Sequence, residues 1–179
     1  MAKKEETLLA EFLLIKRAMK NCLRFALEID ISGGRVDFIT SELNYRNMSL
    51  PEFTCYEIKV SSNDFKSRHG HNLDGDYNYY VVSKEVLNHI KSDKHLNERF
   101  FGDATNRFEH EGLILIGDSG LKVLKKAIRN NYTKLSFEQR LRLLDKMLIS
   151  WTTGSMFKYL KRQGIDLRNE ESEDSDESS

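Results

Sequence analysis

The chain has 179 residues, 39% hydrophobic and 31% charged, which suits one soluble globular domain and excludes a fibrous or wholly disordered protein. No apolar run approaches the roughly 20 residues that span a bilayer, and the mixed-charge start Met1-Ala2-Lys3-Lys4-Glu5-Glu6 does not read as a signal peptide. The net charge of zero hides an asymmetry: residues 170–179 hold six acids and no base, leaving 28 bases against 28 − 6 = 22 acids, a mildly basic body that fits a nucleic-acid partner.

Residues 7–23 predict a helix, with Leu8, Phe12, Ile15, Met19 and Cys22 at three- and four-residue steps. The period then drops to two. Phe25, Leu27, Ile29 and Ile31 alternate with Ala26, Glu28 and Asp30, as in a half-buried strand. Ser32-Gly33-Gly34 predicts a tight turn and Arg35 to Leu43 a second strand, so 25–43 is expected to be a β-hairpin. Asn44 to Glu52, with the only proline (Pro51), reads as a loop. Phe53 to Val60 predicts a third strand, rich in aromatic and β-branched residues.

Ser61 to Asp76 is polar, contains Gly70 and Gly75, and reads mostly as loop. Tyr77 to Val82 predicts a fourth strand and Lys84 to Lys91 a helix; residues 92–111 carry no clear pattern. Gly112–Ile116 and Leu121–Leu124 predict short strands around the turn Gly117-Asp118-Ser119-Gly120. Residues 136–149 predict a helix capped by Ser136, with Phe137, Leu141, Leu144, Met147 and Leu148 on its apolar side. A last short helix is expected from Ser155 to Lys161, and a disordered acidic tail after it. This order implies an α/β fold: a central mixed β-sheet flanked by helices, with C-terminal helices. Cys22 and Cys55 are two, far apart and in apolar surroundings. They are expected to be reduced core cysteines, as in the cytoplasm.

The chemistry concentrates on Cys55-Tyr56-Glu57-Ile58-Lys59-Val60. Alternation places Glu57 and Lys59 on one face of the strand. If the third strand pairs beside the second, Asp37 meets them. Two hard carboxylates suit Mg²⁺ or Mn²⁺. Such an ion polarises a phosphodiester and lowers the pKa of bound water, while a neighbouring lysine orients that water or balances charge on phosphate. On spacing alone, Glu-X-Lys is also a common solvated charge pair.

A longer string carries a resemblance. Asp37 followed by Glu57-Ile58-Lys59 is similar to the signature of the PD-(D/E)XK nuclease superfamily. The stretch from Glu28 to Leu124 resembles the MmcB-like family, whose members are assigned as DNA-repair endonucleases from their motifs, and related phage proteins. The matching pieces are Glu28 to Asp37, Glu57 to Ser61 with Asp64-Phe65, Gly75-Asp76 to Val82, and Gly112 to Ile116, in the family's order. Val36 stands where the superfamily's name-giving proline would be.

The resemblance implies a restriction-endonuclease-like core at about 7–128 within a single domain of residues 1–165. The helices from about 134 and the tail at 166–179 lie outside it. It implies Asp37 and Glu57 as metal ligands, Lys59 as the catalytic lysine and Glu28 as an accessory acid and ligand. Mg²⁺ or Mn²⁺ would be the cofactor and DNA the partner, with no membrane and with a homodimer left open.

Arg35, Ser61, Lys66, Arg68, His69, His71 and Asn72 are candidates for substrate contact, since a cationic loop beside a nuclease site holds the phosphate backbone. No Cys or His pattern accompanies His69 and His71, so zinc is not expected. Tyr77, Tyr79 and Tyr80 could stack on bases, but strand tyrosines more often pack. The expected function is metal-dependent hydrolysis of DNA. The alternative is a catalytically silent DNA- or partner-binding module on the same fold.

Overall fold

The computed structural model describes residues 5–31, 34–42, 50–67, 73–102, 110–117, 120–131, 135–152 and 161. The described elements run α1 (Glu5–Lys20), β1 (Arg24–Ile31), β2 (Gly34–Glu42), β3 (Glu52–Lys59), α2 (Ser62–Lys66), β4 (Tyr77–Val82), α3 (Lys84–Ser92), α4 (Lys94–Phe101), β5 (Glu111–Gly117), β6 (Gly120–Lys125) and α5 (Phe137–Thr152). Six strands form one sheet in chain order, β1 to β6. β1, β2 and β3 pair antiparallel, β3, β4 and β5 parallel, and β6 antiparallel to β5. The fold is therefore the expected α/β architecture with a mixed sheet flanked by helices.

Alternation along the strands divides the sheet into two faces. Leu14, Ile15 and Ala18 of α1 and Leu143 and Met147 of α5 share a core with Phe25, Phe38, Tyr56, Ile58 and Val81. Phe65 of α2, Val86, Leu87 and Ile90 of α3 and Phe100 of α4 share a second core with Tyr80, Val82 and Leu113. Rings bind the first together: Phe25 stacks on Phe38 at 5.5 Å, and Trp151 meets Phe25 edge-on at 4.8 Å while donating its indole N–H to the Phe25 carbonyl at 2.9 Å.

The polar stretch after Val60, read mostly as loop, contains the five-residue α2, and the stretch after 91, which carries no clear pattern, contains α4. Both helices carry a local start signal: the Ser61 hydroxyl accepts the Asp64 N–H, and Asp93 accepts the N–H groups of His95 and Leu96. Three expectations need correction. The inward face of α1 centres on Ala10, Leu14, Ile15 and Ala18, while Met19 is exposed. Residues 8–15 are apolar almost all round, so periodicity leaves the phase open, and the two alanines allow close approach to the sheet. On α5 the inward residues are Arg140, Leu143 and Met147, with the expected Leu144 packed against the same core, whereas Phe137, Leu141 and Leu148 face outward. Finally, Cys22 is exposed and only Cys55 is buried; both are free thiols. Cys22 takes φ 53 just past α1. Its N–H reaches the Met19 carbonyl and the next amide, Leu23, reaches Ala18, the double bond that closes a helix with a left-handed residue.

The turn residues 32–33 and 118–119, the expected helix from 155 and the acidic tail lie outside the described residues. The ladders end on either side of both turns, at Ile31↔Gly34 and Gly117↔Gly120. No helix among the described residues is long and apolar enough to cross a membrane.

Candidate functional site

Register builds the site from three strands. β1 and β2 pair at Leu27↔Phe38 and Ile29↔Val36, which sets Glu28 opposite Asp37. β2 and β3 pair as far as Phe38↔Tyr56, and one step further Asp37 stands opposite Glu57. Glu57 pairs with Tyr80 and Tyr80 with Leu113. Side chains in register share a face, so Asp37, Glu57 and Tyr80 fall on one face of the sheet, while Glu28, whose left-handed backbone departs from strand geometry, lies between two paired positions opposite Asp37. Lys59, two residues beyond Glu57, lies on that face too. The expected meeting of Asp37 with the Glu57 strand is present.

The environments of these residues differ. Glu57 and Lys59 are buried, at 1% and 4% exposure. Asp37 is half-buried, and its Oδ2 accepts the backbone N–H of Ile58 at 2.8 Å. Lys59 Nζ lies 3.5 Å from Oδ1 of Asp64, the third residue of α2. Glu28 occupies a left-handed backbone position (φ 50) in the middle of β1. An L side chain in that region costs on the order of 1–3 kcal/mol and persists where surrounding structure enforces it. The Glu28 carboxylate is held in an ion pair by Arg35, on the neighbouring strand at the solvent edge.

On the apolar side of the site, burial and the nearby Glu111 and Glu57 charges push the Tyr80 phenol up to about 12, against the opposing pull of Arg99. Tyr80 is thus a neutral packing group, edge-on to Phe65 and Phe100. Tyr79 stacks on Tyr56 at 5.6 Å. These two tyrosines are spent on packing.

Of the other candidates, Ser61 is engaged as the cap of α2 and Lys66 is exposed in its last turn. Arg68, His69, His71 and Asn72 lie outside the described residues. Sequence reasoning missed Asp64 as the partner of Lys59, although Ser61-x-x-Asp64 is a recognisable helix start. It also missed the anchor at the other end of β3. There the buried Asp76 carboxylate receives both Arg140 nitrogens at 2.6 Å and the Phe53 N–H at 2.8 Å, while Arg140 also reaches the Pro51 carbonyl at 2.8 Å. Burial opposes ionisation of Asp76, but Arg140 and the Phe53 amide outweigh it and hold the carboxyl below its ordinary range. This pair ties α5 to the β3–β4 end of the sheet and so fixes the strand that carries Glu57.

Metal fit can be judged from donor chemistry. Among the described residues, no three His, Cys, Asp or Glu side chains form a ready cage. Mg²⁺ does not require one: it keeps several waters and binds through one or two carboxylates plus substrate phosphate. Asp37 and Glu57 supply two carboxylates of the kind such a site uses, and a carboxylate that accepts one amide retains acceptor capacity.

No protein-family model matches the chain, and neither does any curated protein. The chain is similar in structure to a protein of unknown function, SPO1766 from Silicibacter pomeroyi, with a TM-score of 0.55 and 16% identity over 93% of this chain and 99% of that one. That likeness extends over nearly the whole of both chains and concerns the fold alone.

Proposed function

We propose that the protein is a metal-dependent endonuclease that hydrolyses DNA phosphodiester bonds, in DNA repair, recombination or phage DNA metabolism. The observation that supports it best is the register of Asp37 with Glu57, with Lys59 on the same face and Glu28 opposite Asp37 across the hairpin. The resemblance of Asp37 and Glu57-Ile58-Lys59 to the PD-(D/E)XK signature adds the expectation of chemistry.

Asp37 and Glu57 would hold Mg²⁺ or Mn²⁺, which would supply Lewis acidity and make a water easier to deprotonate for attack on phosphorus. Lys59, kept in place by Asp64, orients the attacking water and offsets charge building on the phosphate oxygens. Arg35, paired with Glu28, and Lys66, exposed in the last turn of α2, would contact the DNA backbone. The Ile58 amide holds the Asp37 carboxylate in its orientation.

The burial of Glu57 and Lys59 favours a second reading, a silent DNA-binding module in which these polar residues are structural. A cleavage panel across duplex, single-stranded, flap and junction DNA, with Mg²⁺ or Mn²⁺ and with EDTA, separates the two. The nuclease reading expects metal-dependent products that Glu57→Gln and Lys59→Ala each lower by at least about 100-fold. Cleavage that survives both changes removes this site from the mechanism. DNA binding without cleavage under every condition selects the silent module.

A further inference from the structure

We propose that the outward face of α5 is an interface between two copies of this chain, in which Phe137 of each copy seats in an apolar pocket on the other.

α5 carries apolar residues on two sides, and the core takes up only one. Leu143 and Met147 turn inward, while Phe137, Leu141 and Leu148 stay 59%, 48% and 61% exposed. With the half-buried Leu144 they fall within about 60° of one another around the helix, at 3.6 residues per turn. They therefore form one continuous outer stripe. Single exposed leucines need no explanation, but a contiguous apolar stripe marks an interaction surface. At its C-terminal end the stripe meets a pocket of about 420 Å³, walled by Leu144, Met147, Leu148 and Trp151, with Cys22 and Asp145 also lining it. That volume accepts an aromatic ring.

Self-complementarity points to a second copy as the occupant. A twofold interface uses the same patch on both subunits, so the patch must carry both halves of every contact. This stripe does. Phe137 projects at one end, and the pocket lies at the other, about 16 Å along the helix at Leu148. Two α5 helices packed antiparallel, with Phe137 of each against Leu148 of the other, bring each ring to the other's pocket and set Leu141 against Leu144. In that register Arg142 falls within about 3 Å, along the axis, of Asp145 in the second copy. Both residues lie on the same flank of the stripe, and antiparallel twofold packing joins like flanks. Charge is thus complementary as well, in two symmetric Arg142–Asp145 pairs. Arg142 is 73% exposed and holds Glu138, and Asp145 is exposed.

Sedimentation equilibrium of the full chain is the first test. A contact one helix wide sits at the low end of specific interfaces, so wild type should dimerise at roughly 10–100 µM. Phe137→Asp and Leu141→Asp should each weaken dimerisation at least about tenfold. Both side chains are exposed, so the variants should keep the wild-type circular dichroism. Asp145→Arg should weaken the dimer about threefold, and adding Arg142→Glu should restore it. Crosslinking reads the seating of the ring. Under mild oxidation Phe137→Cys should give a covalent dimer through Cys22 of the other copy, and Cys22→Ser should abolish it. Within one copy the two positions lie at opposite ends of the stripe, beyond the reach of a disulfide. A chain that stays monomeric over this range overturns the proposal. So does a dimer indifferent to both aspartates, or the absence of a Cys22-dependent crosslink. Monomers that bind an apolar dye, with binding lost in Leu148→Asp, overturn it too and assign the pocket to a small apolar ligand.

Discussion

The carboxylate of Asp37 accepts the backbone N–H of Ile58 at 2.8 Å, just where the pairing of β2 and β3 ends. A proposed metal ligand therefore also closes the seam between the strands that carry the site. Asp37→Ala should cost roughly 1.5–3 kcal/mol, the scale of a hydrogen bond to a charged group whose partner amide is left partly buried. Asp37→Asn keeps an acceptor for Ile58 and should cost less than half of that. Urea denaturation checks this, and equal losses in the two variants would show that the amide contact is not what stabilises the seam.

Arg140 and Asp76 should behave as one unit. Removing the arginine leaves a buried carboxylate without its partner, so Arg140→Ala should lose about 3–5 kcal/mol. Chemical unfolding of the variant measures it. A loss under about 1 kcal/mol would mean that the pair does not anchor α5.

Asp76 also makes stability depend on pH. Its folded pKa lies below the ordinary value, so the unfolded chain takes up the proton first as pH falls. The contribution is complete above the unfolded Asp value near 3.9 and is lost as pH drops below it toward the folded value. Thermal melts between about pH 5 and 2.5 should fall less steeply for Asp76→Asn than for wild type. Parallel slopes would assign the acid sensitivity to other carboxylates.

Gly75 is required by space. A Cβ there would lie 2.8 Å from the Cys55 sulfur and 2.9 Å from the carbonyl oxygens of Phe53 and Tyr77. Two of these are backbone atoms inside strands and cannot turn aside. Gly75→Ala should destabilise by about 1–3 kcal/mol, as overpacking does. A melting temperature unchanged from wild type would show that the β3–β4 entrance yields more easily.

The two cysteines should separate cleanly. Cys22 is exposed. Cys55 is buried, and burial with the Asp74, Glu57 and Asp76 charges pushes its thiol far above the usual range. Titration with a thiol-specific disulfide reagent at pH 8 should count one thiol in the native protein and two in denaturant. Two fast thiols in the native protein would place Cys55 within reach of solvent.

Local pattern alone determined the strands, the hairpin and the sharing of one face by Glu57 and Lys59. A strand's period of two is set by its own backbone, so Cys55 to Val60 announces its faces without help from the rest of the chain. The cap of α5 was legible for the same reason: the Ser136 hydroxyl accepts the Gln139 N–H three residues away, and the Gln139 side chain returns the bond to the Ser136 amide.

What only the tertiary structure decided is non-local. Which stripe of α1 and α5 turns inward depends on the sheet each packs against, because both helices carry apolar residues on more than one side. The Arg140–Asp76 pair joins residues 64 positions apart, and no local spacing encodes it. Glu28 in a left-handed conformation contradicts its own propensity, and no local pattern encodes its pairing with Arg35 across the hairpin. The residues for the acidic site were visible in the sequence. Their alignment across three strands came from the register of two antiparallel ladders, which forms only when the hairpin and β3 meet.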